Sequence, residues 1–107
     1  MRTPRLEVRT SDDGSVIVRP HGSVGPDDAV ELRQILVRAV RKQRPLRLVV
    51  DLADVVTLDP INLGTLSAAC ELGDDHDVAV FMDNPSAAVA ADLAAAGVPR
   101  QRLRPGR

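Results

Sequence analysis

Residues 46–60 constrain the fold more than any other stretch of the chain, because an apolar run is followed closely by a helix start. Residues 48–50 read Leu-Val-Val, which is typical of a strand buried on both faces in the middle of a parallel sheet. Asp59 precedes Pro60, the usual pairing of an N-cap with proline at the first helical position. A second apolar run at 78–82 follows this helix, so the sequence predicts a strand–helix–strand unit with a right-handed crossover.

The remainder of the chain extends this unit. The runs at 6–9 and 16–19 flank the turn sequence Ser-Asp-Asp-Gly, which indicates a β-hairpin. A first helix is predicted to begin at Asp27 or Asp28 and to end before Pro45. The predicted order is therefore β-β-α-β-α-β-α, an α/β fold with a small, mixed and mostly parallel sheet on which the helices pack.

The second and third helices carry their own start and stop signals. The second helix is predicted to end at about Leu72, before Gly73. The third is predicted to be capped by Asn84 with Pro85 and to end at Gly97, since glycine is the preferred residue just after a helix.

Length and composition restrict the kind of protein. With 107 residues, the chain suits a single domain over residues 1–107, with a compact part at 5–99 and a solvated basic tail at 100–107. Phe81 is the one aromatic residue and the net charge is -1, which argues against nucleic-acid binding by base stacking or phosphate neutralisation. No run approaches the length of a membrane span and no signal segment is evident, so we expect a cytoplasmic protein with no membrane partner.

Side chains that bind metals or act as nucleophiles are sparse. His21 and His76 stand apart from each other and from Cys70, so neither a metal site nor a cofactor nor a catalytic residue is predicted. We expect Cys70 to be a small core residue. Residues 22–25, Gly-Ser-Val-Gly, lack the third glycine and the lysine of phosphate-binding loops.

Three carboxylates form a possible phosphate-acceptor site. Asp51, Asp54 and Asp59 follow the central strand, where ligands of α/β folds usually bind. A Mg²⁺-dependent phospho-acceptor would need a lysine nearby, and the single lysine, Lys42, lies at the far end of the preceding helix. We therefore prefer one helix-capping aspartate and two solvated loop residues, and predict that the chain is not an enzyme.

The second helix has apolar residues on both of its faces. At 100° per residue, Leu63, Leu66, Ser67 and Cys70 share one face, which we expect to lie on the sheet. The opposite face carries a second, weakly polar stripe, and we interpret it as a surface for a protein partner. A neighbouring helix or a second copy of the chain is the alternative cover. The members of this stripe are Ile61, Thr65, Ala68 and Leu72.

Charge is segregated along the chain. Residues 33–50 carry six basic and no acidic side chains, and residues 51–83 carry eight acidic and no basic ones. Because the second helix lies in the acidic block, we expect its partner to have a basic rim around an apolar centre.

The stretch 46–66, LRLVVDLADVVTLDPINLGTL, resembles the STAS family of bacterial anti-sigma factor antagonists and of domains in sulfate transporters. That family has a strand ending in D-L-S and then a helix entry of the form hydrophobic-D-S-S-G-L-G-x-L. Asp51-Leu52-Ala53 matches the strand end, and Leu58-Asp59 with 63–66 matches the helix entry. The resemblance extends over most of the chain and implies the STAS fold.

The resemblance also implies a function and a departure from it. In the family, the unphosphorylated protein binds an anti-sigma factor, and phosphorylation of a serine by this partner kinase blocks binding. That serine corresponds here to Ile61, which has no hydroxyl, so the expected activity is binding of an anti-sigma factor or serine kinase-like protein without phosphoserine gating. Together with the outer stripe of the second helix, this gives the predicted contact residues Asp59, Ile61, Asn62, Thr65, Ala68 and Leu72.

Several alternatives stay open at this stage. Thr57 or Thr65 could replace the missing phosphorylation site. The domain could instead be a scaffold or auxiliary module of a multi-protein signalling assembly of the stressosome kind, or a small-ligand-binding domain. A homodimer is also compatible with the sequence.

Overall fold

A hairpin opens the fold in the computed structural model, which describes residues 5–106. Strands β1 (Leu6–Thr10) and β2 (Val16–Pro20) pair in antiparallel fashion, as predicted. In the turn, Gly14 has a φ of 84°, a left-handed conformation that glycine adopts without strain. Hydrogen bonds from the Ser11 hydroxyl and the Ser15 backbone N–H hold the pKa of the Asp13 carboxyl well below its usual range.

The main sheet has five strands in the order β1-β2-β4-β6-β7. Its further strands are β4 (Arg47–Asp51), β6 (Ala79–Asp83) and β7 (Leu103–Arg104), and only β1 is antiparallel to its neighbour. Strand β4 lies at the centre between two parallel neighbours, which confirms the prediction from its apolar run. Alternate side chains of the central strands are almost fully buried, and they form the sheet side of the core: Val16, Val18, Leu48, Val50, Val80 and Met82.

A second, two-stranded parallel sheet was not predicted. It pairs β3 (Gly22–Val24) with β5 (Val55–Leu58), so the observed order is β-β-β-α-β-β-α-β-α-β. Gly22 has a φ of 75° and turns the chain, and its N–H donates to the carbonyl of Asp54 at 2.8 Å. The two glycines around β3 therefore start and end a short strand, although in the sequence they resemble a loop. Its buried anchors are Val24, Val55 and Leu58.

The first two helices begin where predicted, but the second ends later. Helix α1 (Ala29–Arg38) continues as a π-helical turn through Gln43 and ends at Arg44, just before Pro45. Helix α2 (Pro60–Asp75) starts with the predicted N-cap, since the Asp59 carboxylate accepts from the N–H of Ile61 at 3.0 Å. The predicted stop at Gly73 is wrong, because this glycine lies inside α2 at its close approach to β6.

Helix α3 (Ala87–Ala95) is capped by Ser86, so the prediction of Asn84 as its cap is wrong. The Ser86 hydroxyl oxygen accepts from the N–H of Val89 at 3.1 Å, whereas Asn84 has a φ of 59° and lies in the turn after β6. Gly97, with a φ of 102°, ends the helix as expected. None of the helices within residues 5–106 is both long and apolar enough to cross a membrane.

Residues 100–104 are held against the sheet, where a solvated tail was expected. Strand β7 pairs with β6, and Arg104 forms an ion pair with Asp83 at 2.6 Å. Arg102 pairs with Asp74 at 2.7 Å. Both guanidinium groups lie over the ring of Phe81, at 4.0 Å for Arg104 and 5.5 Å for Arg102, a cation–π arrangement that covers this aromatic residue.

Candidate functional site

The inner face of α2 lies on the core as its periodicity predicts. Leu66 and Cys70 are buried, and Leu63 and Ser67 are half-buried. Burial raises the pKa of the Cys70 thiol to about 11, because a thiolate is poorly solvated among apolar side chains. Cys70 is therefore a core residue without nucleophilic character.

We expect Cys70 to react very slowly with a thiol reagent in the native protein. At pH 8 a thiol with a pKa of about 11 is almost entirely protonated, and its burial also blocks access. Labelling with a chromogenic disulfide should be slow in buffer and complete within minutes in denaturant. Equally rapid labelling in both conditions would contradict the burial of this side chain.

The outer face of α2 forms one wall of a groove, which we call the α1–α2 groove. It has a volume of about 550 Å³. Ile61, 54% exposed, is one of the apolar side chains that line it. Ala68 is exposed on the same stripe, whereas Thr65 and Leu72 are half-buried. Four of the predicted contact residues thus line one surface, and the other apolar residues of that surface are Leu36, Val37 and Ala69.

Two members of the predicted stripe are partly engaged inside the molecule. Leu72 packs against the hydrophobic core. The Thr65 hydroxyl donates to the carbonyl of Ile61 at 3.0 Å, one turn earlier in the helix. Ile61 and Ala68 are therefore the members whose side chains are most available to a partner.

The groove has rims of opposite charge, which the sequence prediction missed. Arg33 lines it from α1 and Arg41 from the π-helical turn that continues α1, while Glu71 and Asp75 line it from α2. The sequence predicted an acidic rim alone, because α2 lies in the acidic block at 51–83. The basic block at 33–50 was the sequence signal for the second, basic rim, since the helix that carries it packs beside α2.

Asn62 was predicted to contact a partner, and the structure contradicts this. Its side chain is 0% exposed, and its amide nitrogen donates to the carbonyls of Val24 at 3.1 Å and Gly25 at 2.9 Å. Asn62 lies one turn before Leu66 and so points inward, where it ties the end of β3 to α2. Its role in this structure is to position the start of the helix.

Asp59, a predicted contact residue, lies just before α2 and outside the groove lining, and its carboxylate caps the helix. It is half-buried and accepts from the N–H of Ile61. The capping interaction holds the first turn of α2 and so fixes where Ile61 projects.

The carboxylates after the central strand are bound to neighbouring side chains. Asp54 forms an ion pair with Arg19 at 3.1 Å and lies 3.0 Å from a ring nitrogen of His21. Asp51 accepts from the amide of Asn84 at 3.2 Å. His21 also lies 2.8 Å from Glu7, so its ring lies between two carboxylates.

This arrangement gives little support to the phospho-acceptor alternative. The carboxylates of Asp51 and Asp54 face Arg19, His21 and Asn84, while Asp59 caps α2. Within residues 5–106 no group of three or more His, Cys, Asp or Glu side chains is placed to hold a metal ion. Residues 22–25 form β3 and its end, not a phosphate-binding loop.

Solved structures with the same fold include bacterial regulators and a transporter domain. The anti-sigma factor antagonist SpoIIAA in its unphosphorylated form has a TM-score of 0.81 at 12% identity, over 95% of this chain and 88% of that one. A single-residue variant of RsbS from Moorella thermoacetica has a TM-score of 0.78 at 16% identity, over 96% of this chain and 86% of that one. The SulP transporter STAS domain of Vibrio cholerae has a TM-score of 0.65 at 18% identity, over 91% and 77%.

The comparison with protein families covers nearly the whole chain. No curated protein sequence matches this chain. The STAS domain model matches residues 5–102, which span every strand except β7, the three helices and the α1–α2 groove. The fold, mixed α/β with a mostly parallel sheet, agrees with that match. The chain therefore belongs to the STAS domain family.

Proposed function

We propose that this domain is a non-enzymatic protein-binding module of the anti-sigma factor antagonist kind. It binds an anti-sigma factor or serine kinase-like protein through the start of α2 and the α1–α2 groove, in the bacterial cytoplasm. The observation that carries the proposal is Ile61, a large aliphatic side chain that is 54% exposed on the first turn of α2 and opens onto an apolar groove. Exposed aliphatic residues grouped in this way are typical of protein contacts.

We further propose that a phosphoserine does not gate this binding. The segment corresponding to D-S-S-G reads Asp59-Pro60-Ile61-Asn62, so no hydroxyl is present at either serine position. SpoIIAA has been solved in phosphorylated and unphosphorylated forms. A phosphate would add about −1.5 to −2 charges beside the groove, and an isoleucine keeps that position permanently neutral.

The two threonines differ as replacement sites for phosphorylation. Thr65 donates its hydroxyl to a helix carbonyl, whereas Thr57 is exposed on β5. Incubation with ATP and an anti-sigma factor of the serine kinase-like type, followed by intact-mass measurement, tests the proposal. An unchanged mass is expected, and addition of a phosphate would overturn the absence of gating.

Capture of the partner tests the binding surface itself. Ile61→Asp and Ala68→Asp should each reduce capture of a purified serine kinase-like anti-sigma factor by at least about tenfold, because each places a charge on the apolar floor. We prefer Ala68 to Leu72, since Leu72 packs against the core and its replacement would also destabilise the fold. Titration by isothermal calorimetry gives the affinities.

Leu46→Asp is the matched control for this experiment. Leu46 is 84% exposed and precedes β4, at the opposite end of that strand from the start of α2, so this variant should bind like the unmodified protein. Equal binding by all three variants would contradict the proposed surface. A large homo-assembly with no complex would favour the scaffold alternative.

A further inference from the structure

The charged rims of the α1–α2 groove are not neutralised within the described part of the molecule. Over residues 5–106, ion pairs engage Arg5, Arg19, Arg47, Arg102 and Arg104. In the same range, no ion pair involves Arg33 or Arg41 on the basic rim, or Glu71 or Asp75 on the acidic rim. All four side chains are exposed. The groove therefore presents two free charges of each sign beside an apolar floor.

The direction of the two helices sets how these charges are arranged. Helices α1 and α2 each connect parallel strands of the sheet, so they run in the same direction. Arg33 and Arg41 are about two turns apart along α1 and its π-helical continuation. Glu71 and Asp75 occupy the last turns of α2, near the end of α1 that carries Arg41.

An occupant must match this pattern. It has to place anions against α1, cations against α2 and aliphatic groups between them. An anionic membrane or a nucleic acid would meet Glu71 and Asp75 and be repelled. A second copy of the same surface supplies all three features, because it has a basic rim, an acidic rim and an apolar floor between them.

We propose that the α1–α2 groove is the interface of a symmetric homodimer. A two-fold axis running along the groove places α1 of each copy over α2 of the other. Arg41 then faces Glu71 and Asp75 of the partner subunit, and the apolar floors meet along the axis. A two-fold axis across the groove would place α1 over α1 and oppose like charges, so only the first arrangement is complementary.

The size of the face predicts a weak dimer. Helix α2 has 16 residues and is about 24 Å long, and two adjacent helices are about 20 Å wide. The resulting face of about 480 Å² is smaller than the ~800 Å² that each partner buries in a standard stable interface. We therefore expect a dissociation constant on the order of 10–100 μM. Because the dimer covers the groove, dimerisation excludes other proteins from it.

Charge reversal tests this dimer with the purified protein alone. Analytical ultracentrifugation from about 5 μM to about 500 μM, a range that brackets the expected dissociation constant, should show a shift from one to two copies of the 11.5 kDa chain. The double variants R33E/R41E and E71K/D75K should each stay monomeric. In each variant the two rims carry the same sign of charge, so both symmetry-related contacts between α1 of one copy and α2 of the other become repulsive. A mixture of these two variants should dimerise again, because each variant supplies the charge that the other has lost.

Arg38→Glu is the control, since Arg38 is exposed on α1 outside the groove lining and its reversal should leave dimerisation unchanged. Circular dichroism checks that the exposed substitutions preserve the fold. An unmodified protein that stays monomeric at about 500 μM, well above the expected dissociation constant, would overturn the proposal. So would double variants that dimerise normally, or a mixture that does not. These measurements need no binding partner, so their outcome is independent of the proposed antagonist function.

Discussion

Replacing Gly73 with alanine will lower the free energy of unfolding by about 2 kcal/mol or more, although alanine is the better helix former. A Cβ at this position would lie 2.5 Å from the carbonyl oxygen of Val78 and 2.5 Å from a methyl carbon of Val80. The carbonyl belongs to the backbone entering β6 and cannot rotate away. Helix α2 would have to move off the sheet, which also loosens its contacts at Leu66 and Cys70.

Gly64→Ala is the matched control, because Gly64 lies in the same helix and an added Cβ there would have nothing within 4 Å. It should raise the free energy of unfolding by about 0.5–1 kcal/mol through helix propensity alone. Urea unfolding of both variants gives the comparison. If Gly73→Ala were neutral or stabilising like Gly64→Ala, the close approach of α2 and β6 would be refuted.

Gly73 also shows what could not be predicted from the sequence. Glycine near the end of a helical pattern usually marks the stop, and here it is retained inside the helix because a neighbouring strand passes so closely. That contact depends on how α2 sits on the sheet, which local sequence does not encode. By contrast, the central strand and the Asp59–Pro60 helix start were predictable, because burial on both faces and N-capping leave local signals.

The candidate site was predicted in part for a similar reason. Helical spacing correctly placed Ile61 and Ala68 on an open face of α2. It could not show that α1 forms the opposite wall, since the packing of two helices is a tertiary property. Asn62 stands four residues before the buried Leu66 and therefore lies on the same, inner face of α2. This spacing is a better guide to its burial than its position in the family motif, which placed it among the contact residues.

Asn62→Asp will destabilise the protein by about 3–5 kcal/mol at pH 7, because it leaves a buried charge without a counter-ion. The substitution keeps the shape of the side chain. It replaces an amide that donates to the carbonyls of Val24 and Gly25 with a carboxylate that can only accept. Those two carbonyl oxygens, at 3.1 Å and 2.9 Å from the amide nitrogen, would then repel it, in a position that is 0% exposed.

The destabilisation should depend on pH with a defined sign. Burial raises the pKa of the introduced carboxyl in the folded state above its unfolded value of about 3.9. Below that value both states are protonated, and the acid O–H donates to one of the two carbonyls, so the loss is small. Between the unfolded and folded pKa the loss of stability grows by about 1.4 kcal/mol per pH unit.

Asn62→Ala removes the same hydrogen bonds without a titrating group, so its loss of stability should stay constant with pH. Urea unfolding of both variants and the parent from about pH 3.5 to about pH 8, which spans the unfolded pKa and the rise above it, measures this difference. Parallel curves for the two variants would show that residue 62 is not buried against these carbonyls.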